Sequence, residues 1–368
     1  MNCKHATLLP SLLALLVASS AHAVVQSNTD FGTLSLGGDV ELNLNAANTN
    51  PGTLLADSRQ KDRWDMDGRV LLNVGALKEL PSGAYAQVAL QPTVSVNAGA
   101  SADDAWLGFG RRNSWGMKVG RFEAYDMSPL GQDVFVEHSG DSANDLYQDG
   151  RGYIYMVKEG RGRAGKGGQV LMNTQQGNWY MELSTLIGDR SNLFSDNEYH
   201  GYAVTKDKDS LIARPVIAWQ GQQFKFAVGG ETNLINDALV ANGKSISRRN
   251  GYGASTSWHQ DDLTINVNLA RMQAVAETDT TAGANLVWQN LGLGYIYATN
   301  DTDSCATSAY SGNYKVHTTY TSWKIPGVLD IKNFDIYLGA YWSQLKPDTN
   351  DGSDLNRYGG RVRFKYFF

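Results

Sequence analysis

Charged side chains in this sequence recur at every second position, a spacing that assigns them to one face of a β-strand. The last segment alternates three basic residues with four apolar ones: Arg361, Arg363 and Lys365 against Val362, Phe364, Tyr366 and Phe368. Earlier segments repeat the pattern with these charged residues: Asp39, Glu41, Asp65, Asp67, Arg69, Glu182, Arg214, Lys225, Glu231 and Asp335. Fixed charges in rows can attract, repel or hydrogen-bond a dissolved molecule without breaking its bonds. We therefore expect a surface that binds or conducts solutes.

The sequence does not arrange its reactive residues for covalent chemistry. No Gly-x-Ser-x-Gly motif occurs, and the histidines after residue 23 lack metal-ligand spacing: His138, His200, His259 and His317. Residues 160–165 spell a dinucleotide-binding fingerprint, but no strand–helix–strand pattern surrounds them. The net charge of −5 provides no footprint for nucleic acid. We expect no enzyme, no cofactor, no metal site and no nucleic-acid partner.

Segments of alternating polarity must position these charges, and they recur along the whole chain. In one of them, apolar residues alternate with polar ones: Leu263, Ile265, Val267 and Leu269 with Thr264, Asn266 and Asn268. Strands of about 9–12 residues exceed the usual soluble length and match tilted membrane-spanning strands. Five tryptophans fall near strand ends, where an interfacial girdle would place them: Trp64, Trp219, Trp258, Trp288 and Trp342. The pattern favours an all-β transmembrane antiparallel up-and-down β-barrel over a soluble β-sandwich, in which the aromatic last strand would be an aggregation hazard.

The first 23 residues have the composition of a signal peptide. Lys4 precedes an uncharged, mostly apolar run over residues 6–17, and the small residues Ala21 and Ala23 predict cleavage before Val24. The run is shorter than a membrane-spanning helix requires. Only Cys305 remains after cleavage, so no intramolecular disulfide can form. We expect export through a cleaved signal peptide and a single barrel, residues 24–368, in the outer membrane of a Gram-negative cell.

The number of strands must be even, because both chain ends of a bacterial barrel lie in the periplasm. The sequence predicts sixteen: 33–45, 64–76, 84–97, 104–111, 115–123, 168–175, 178–187, 211–220, 223–233, 250–259, 262–273, 280–288, 291–298, 314–324, 333–343 and 357–368. Residues 153–157 also resemble a strand, but counting them gives an odd number, so we assign them to a loop. An eighteen-strand barrel remains the alternative. Pro92 and Pro215 fall within these strands and predict bulges.

Residues 124–167 then form one loop that is far longer than ordinary connections, which usually indicates function or disorder. Its many apolar and aromatic residues argue for packing. Its charge is divided along its length. Most of its acids lie in the first part: Asp126, Asp133, Glu137, Asp141, Asp145 and Asp149. Its bases lie in the second part: Arg151, Lys158, Arg161, Arg163 and Lys166.

Residues 104–110 (Asp-Ala-Trp-Leu-Gly-Phe-Gly) and 115–122 (Trp-Gly-Met-Lys-Val-Gly-Arg-Phe) resemble the fourth and fifth strands of bacterial porins. Residues 125–133 and 158–163 resemble the raffinose-type glycoporins. The resemblance implies that loop 124–167 folds into the barrel as a constriction, that the chain forms a homotrimer, and that sugars pass through it. It also implies that the terminal Phe368 is the signal for the barrel-assembly machinery.

Charged residues on the loop and on the wall are the candidates for setting the field at the constriction: Asp126, Asp133, Glu137, Asp141, Arg69, Arg121, Arg361, Arg363 and Lys365. An acidic loop that faces basic strands would create a transverse field across the pore. The alternative is that these are solvated charges without a role.

Four tyrosines are candidates for stacking on sugar rings: Tyr125, Tyr147, Tyr337 and Tyr341. Aromatic faces pack against the apolar faces of sugars, while charged neighbours hydrogen-bond the hydroxyls. The alternative is that they pack the loop onto the wall. The predicted function is passive diffusion of small hydrophilic solutes, with oligosaccharides favoured over a general diffusion porin. An outer-membrane barrel hydrolase is the less favoured alternative.

Overall fold

The computed structural model describes residues 25–49, 62–132, 137–138, 141–142, 154–157, 166–194, 197–303, 312–347 and 355–368. Sixteen of its strands form the barrel: β1 (Gly32–Thr49), β2 (Asp62–Glu79), β3 (Ala84–Ser95), β4 (Ala100–Arg111), β5 (Trp115–Arg121), β6 (Lys166–Gln176), β7 (Trp179–Asp189), β8 (Ser210–Gln220), β9 (Phe224–Asn233), β10 (Asn250–Gln260), β11 (Leu263–Ala274), β12 (Glu277–Trp288), β13 (Leu291–Thr302), β14 (Gly312–Ile325), β15 (Phe334–Pro347) and β16 (Leu355–Phe367). Each pairs antiparallel with the next, and β16 pairs with β1, which closes the barrel. The prediction of sixteen strands is confirmed.

The two faces of the barrel have the polarity of a membrane pore. Large apolar side chains are exposed on the outer face, among them Leu36, Leu44, Leu72, Leu107, Met172, Leu183, Ile217, Val228 and Leu269. Polar side chains are buried on the inner face, among them Asp39, Glu41, Asn43, Glu182, Arg214, Glu231, Asn266, Asn285 and Asp335. Apolar residues outside and polar residues inside are the arrangement that lipid and a water-filled lumen require. Among the described residues, no helix is long and apolar enough to cross a membrane.

Short turns join the strands at one end of the barrel, and Phe368 and the first described residues, 25–31, lie at the same end. Asn113, Asp261 and Gln289 adopt positive φ of 51–56° in these turns. Three of the predicted girdle residues, Trp219, Trp258 and Trp288, lie near this end. Because both termini of a bacterial barrel face the periplasm, this is the periplasmic end, and the longer connections face outward.

Two outer connections are shorter than the sequence predicts. Strand β4 begins at Ala100 rather than at residue 104, and β12 begins at Glu277 rather than at residue 280. The added residues are small or polar and carry no apolar alternation, so the sequence pattern does not mark them as strand. The bulge predicted at Pro92 is confirmed by a register shift between Leu90 and Pro92. Pro215 instead pairs in register with Leu183.

The last residue of the chain contacts the first barrel strand at the seam between β1 and β16. The Phe368 backbone exchanges two hydrogen bonds with Gly38, N–H to O at 2.8 and 3.0 Å. A Cβ on Gly38 would lie 2.3 Å from the Leu71 carbonyl oxygen, so only glycine fits there. Below Phe368, an additional strand, Val25–Thr29, pairs with the first residues of β1 and continues the line of β16. The sequence analysis did not predict this strand.

Deleting Phe368 should lower the amount of folded barrel several-fold, because the seam loses two backbone hydrogen bonds and the terminal aromatic residue. Heat-modifiable gel migration of outer-membrane extracts measures the folded fraction. Phe31→Ala is the matched control, since this side chain is 89% exposed in the turn before β1 and should leave assembly unchanged. A normal folded fraction in the Phe368 deletion would contradict the prediction.

Candidate pore and constriction site

The connection between β5 and β6 spans residues 122–165, two residues earlier at each end than predicted, and residues 125–130 and 154–157 of it lie inside the barrel. The Tyr125 N–H donates to Glu182 Oε1 on β7 at 2.9 Å. Farther along, Asn285 Nδ2 on β12 donates to the Pro129 carbonyl at 2.7 Å, and the Tyr320 hydroxyl on β14 donates to the Leu130 carbonyl at 3.2 Å. These partners are on the inner face, so this segment crosses the lumen from β5 to the opposite wall. We call residues 122–165 the constriction loop, after the role predicted from the sequence.

Residues 154–157 form a second leg of this loop. They are not part of a strand, as predicted, and their side chains are buried. Ile154 and Met156 pack into a cluster with apolar residues of β13, β14 and β15: Ile296, Ala298, Tyr314, Val316, Tyr320, Tyr341 and Leu345. Tyr155 and Val157 pack on the opposite side, against Met127 and the β8 residue Val216. The Met127 N–H donates to the Val157 carbonyl at 3.2 Å, which joins the two legs.

Glycines on the inner wall allow the loop to approach the strands closely. A Cβ on Gly251 would lie 1.9 Å from the Tyr155 hydroxyl oxygen, and one on Gly253 would lie 2.7 Å from Val157 Cγ2. A Cβ on Gly229 would lie 2.8 Å from Met127 Sδ. Side chains at these positions would push both legs of the loop away from β9 and β10.

A buried ion pair fastens both legs to the wall. Arg214 on β8 donates through Nη2 to the carbonyl of Tyr125 at 2.9 Å and to that of Val157 at 3.5 Å. Its Nη1 lies 3.7 Å from Glu182 Oε1, and both side chains are 1% exposed. The Tyr180 hydroxyl donates to the second Glu182 oxygen at 2.6 Å. The sequence places Arg214 on the charged face of its strand, but the attachment of Arg214 to the loop depends on contacts that the sequence pattern does not show.

Four of the basic residues predicted on the wall, Arg69, Arg361, Arg363 and Lys365, are brought together on the opposite side of the barrel. Arg363 Nη2 and Lys365 Nζ lie 2.9 and 3.1 Å from the two carboxylate oxygens of Glu41. Arg69 Nη1 lies 3.0 Å from Asp103 Oδ2, and Arg361 Nη2 lies 3.4 Å from Asp67 Oδ2. We call this surface, formed by β1, β2, β4 and β16, the charged wall. The sequence identified its bases and most of its acids but not Asp103.

Side-chain amides on β1 connect these ion pairs. Asn43 and Asn45 accept hydrogen bonds from the Nε groups of Arg363 and Arg361 at 2.8 and 2.7 Å. Asn45 also donates to Asp65 Oδ1 at 2.5 Å, and Asn43 donates to Asp67. The charged wall therefore presents alternating hydrogen-bond donors and acceptors to the lumen.

The other predicted constriction charges have different placements. Arg121 ends β5, and its Nε donates to the carbonyl of Asp103 at 2.7 Å, the residue whose carboxylate pairs with Arg69. Asp126 accepts a hydrogen bond from the Ser128 N–H at 2.8 Å within the loop. The backbones of Glu137 and Asp141 belong to two short paired strands, and the first of these lies beside β15 and β16. Their side chains and the whole of Asp133 lie outside the described residues, so the transverse field stays a prediction.

The structure describes three of the four tyrosines predicted to stack on sugar rings, and their surroundings differ. Tyr341 is 4% exposed and packs against the loop, which favours the packing alternative for this residue. Tyr125 packs on Tyr180 with ring centroids 5.7 Å apart. Tyr337 is partly exposed and pairs across strands with Arg363 of the charged wall. Tyr147 lies outside the described residues.

Among the described residues, no group of three or more His, Cys, Asp or Glu could hold a metal ion. The arrangement is that of a polar passage between a loop and a wall, held by hydrogen bonds and ion pairs.

Known proteins share this sequence pattern and fold. The family described as porin-like glycoporin RafY has a model that matches residues 36–368. No curated protein sequence matches significantly. The anion-selective porin of Comamonas acidovorans is 12% identical with a TM-score of 0.55, covering 91% of this chain and 99% of that one. A loop L8 deletion mutant of OmpT, an outer membrane protein of Vibrio cholerae, is 11% identical with a TM-score of 0.55, covering 92% of this chain and 100% of that one. A mutant of the Rh. blastica porin is 14% identical with a TM-score of 0.50, covering 91% and 100%. Identities this low show a shared fold alone.

Replacing Arg214 by Met together with Glu182 by Gln should raise the single-channel conductance, because both legs of the constriction loop lose a bond to the wall. The single Arg214→Met variant should also lose about 3–5 kcal/mol of stability, since it leaves Glu182 buried and unpaired. Planar-bilayer recordings measure the conductance, and thermal unfolding measures the stability. Lys225→Met is the control, since Lys225 is an exposed lumen residue on the neighbouring strand β9. Unchanged conductance in a folded double variant would show that the contacts of Arg214 and Glu182 do not determine the position of the loop.

Proposed function

This chain belongs to the porin-like glycoporin RafY family, and from that premise we propose that it is an outer-membrane channel for small oligosaccharides. That the protein is a diffusion channel in the outer membrane rather than an enzyme follows from the family and from the closed barrel with an apolar outer face. The preference for sugars is the proposal.

The charged wall is the observation that carries this proposal. Its bases are each paired with a carboxylate, so it offers donors and acceptors side by side with little excess charge. A sugar ring carries hydroxyls that both donate and accept, and such a surface suits them better than it suits an ion. The cross-strand row of Tyr337, Arg363, Asn43 and Asp67 places an aromatic ring beside these groups.

The constriction loop supports a narrow passage at this wall. The strand Glu137–His138 lies beside β15 and β16, the two strands that carry Tyr337 and Arg363. A solute that passes between them would meet the loop on one side and the polar row on the other. Stacking on Tyr337 and hydrogen bonds to the row would then act on the same sugar ring.

The assembly of the channel is part of the proposal. Cleavage after residue 23 would release the exported chain, the barrel-assembly machinery would insert it into outer-membrane lipid, and three copies would form a homotrimer. The family resemblance supports this assembly, and the seam at Phe368 is consistent with a role for the terminal residue. The general diffusion porin remains the second candidate, because a wall of paired charges also admits other small polar solutes.

Oligosaccharides should block the channel current in a saturable way, and Tyr337→Ala should weaken that block. Loss of one stacking contact costs about 0.5–1.5 kcal/mol, so the half-blocking concentration should rise about 2- to 12-fold, at 1.4 kcal/mol per tenfold. Current fluctuations in planar bilayers with raffinose or maltotriose measure this concentration. Tyr252→Ala is the matched control, since Tyr252 is 57% exposed on the outer face.

If no oligosaccharide blocks the wild-type channel at millimolar concentration, the general diffusion porin is the better description. If Tyr252→Ala weakens the block as much as Tyr337→Ala, the effect is structural. Hydrolysis of lipid or peptide by the purified protein would favour the barrel hydrolase instead.

A further inference from the structure

The tryptophans of this barrel lie on its outer face, with one exception. Of the nine tryptophans, six are 41–83% exposed on that face: Trp64, Trp115, Trp179, Trp288, Trp323 and Trp342. Trp219 and Trp258 pair across strands with exposed aromatic residues of the same face. On β4, Leu107 and Phe109 are exposed on the outer face, so their neighbour Trp106 lies on the inner face. An interfacial girdle accounts for tryptophans on the outer face but not for Trp106.

Trp106 lies at the root of the constriction loop, where the chain leaves β5. Its ring rests against Gly108, since a Cβ there would lie 3.0 Å from Trp106 Cζ3. The ring also packs against a buried cluster formed by Phe122, Ala124 and Leu171. Phe122 is fully buried in this cluster, whereas Trp106 is only half-buried. A residue that only filled space beneath the loop would be covered as Phe122 is, so part of the Trp106 side chain is open to the lumen.

A lysine on the neighbouring strand holds its ammonium group beside this ring. Lys118 Nζ on β5 lies 4.6 Å from the ring centroid of Trp106 and 5.7 Å from that of Phe122. The two rings stabilise the cation, and an ammonium group carries three hydrogen-bond donors. Three acids act electrostatically on this lysine: Asp104, Glu123 and Glu182. They offset its charge, so the position does not favour a free anion.

Two further polar groups meet on the same wall. A Cβ on Gly116 would lie 2.7 Å from the Tyr85 hydroxyl oxygen and 2.8 Å from Asn173 Oδ1, so these two oxygens lie together over Gly116. Gly116 is two residues from Lys118 on β5 and therefore on the same face. Gln87 on β3 pairs across strands with Gly108, under the Trp106 ring. A hydroxyl and two side-chain amides, which can donate and accept, therefore accompany the ring and the ammonium group.

We propose that Trp106, Lys118, Tyr85 and Asn173 form a second sugar-binding subsite at the root of the constriction loop, an inference that rests on the proposed function. We call it the Trp106 subsite. The apolar face of a sugar ring packs on the open part of Trp106, and its hydroxyls bond the ammonium, hydroxyl and amide groups. The sugar unit is neutral, because acids already offset the charge of Lys118. Tyr337 lies on β15, with β16 and β1–β3 between it and β4, so the two aromatic residues contact different sugar units.

Tryptophan fluorescence tests this subsite directly, because Trp106 is the tryptophan on the lumen side of the wall. Acrylamide is a neutral, water-soluble quencher that reaches the lumen far more readily than it reaches residues in lipid. Saturating raffinose or maltotriose should reduce acrylamide quenching of wild-type protein in lipid vesicles. Trp106→Phe should lose this sugar-dependent protection. Trp115→Phe changes a tryptophan on the outer face of β5 and should keep it.

Current block in planar bilayers is the second measurement. Trp106→Ala should raise the half-blocking concentration of the sugar about 2- to 12-fold, the range for one lost aromatic contact. Lys118→Met keeps most of the side chain but removes the donors, so it should also weaken the block. Trp115→Ala is the matched control and should leave the block unchanged. Trp106→Phe should keep the wild-type current in the absence of sugar, which shows that the loop has not moved.

Three results would overturn this inference: sugar that does not protect the wild type from acrylamide, protection that persists in Trp106→Phe, or an unchanged block in Trp106→Ala. A saturable block that Tyr337→Ala weakens would in that case leave the proposed function standing. If the wild type shows neither block nor protection, the proposed function fails as well.

Discussion

The closure of β1 onto β16 is the contact on which the rest of the structure depends. In hydrocarbon, each unpaired backbone group is costly, so a membrane-spanning sheet must have no free edge. Hydrogen bonds between Gly38 and Phe368 and the register of Asn43 with Arg363 remove that edge. Closure also determines which face each side chain occupies, because residues alternate across every strand. The charged wall lies on this seam and exists only when the seam is formed.

One part of the inner wall packs against the constriction loop, and the other part, the charged wall, faces the lumen. From β6 to β15, the inner face receives the constriction loop through Arg214, Asn285 and Tyr320, and glycines at 229, 251 and 253 make room for it. On the charged wall, the inner face carries ion pairs and amides. A buried ion pair is a poor source of net stability, but losing one partner is expensive, so Arg214 and Glu182 hold the loop in one position.

Local alternation predicted most of this fold, because a period of two survives in sequence wherever one face meets lipid. The requirement for an even number of strands then predicted sixteen strands and assigned residues 153–157 to a loop. The same alternation could not mark the polar starts of β4 and β12, nor the exposed strand Val25–Thr29. The contacts of Arg214 and the pairing of Asp103 with Arg69 join elements that are separated in sequence. Tyr341 shows this limit, since its inward direction is visible in the sequence and its burial against Ile154 is not.

The seam also has a consequence for how the barrel folds. Arg363 and Asn43 lie 320 residues apart in sequence, and Arg361 and Asn45 lie 316 apart. The entropy cost of joining chain ends grows with the length between them, and contacts this distant form late. Before they form, the arginines of β16 and the acids of β1 and β2 would lie in lipid or at its surface without partners, which is unfavourable. An incompletely folded chain is therefore penalised by the charges that line the finished pore, and the same side chains act as a check that all sixteen strands are in register.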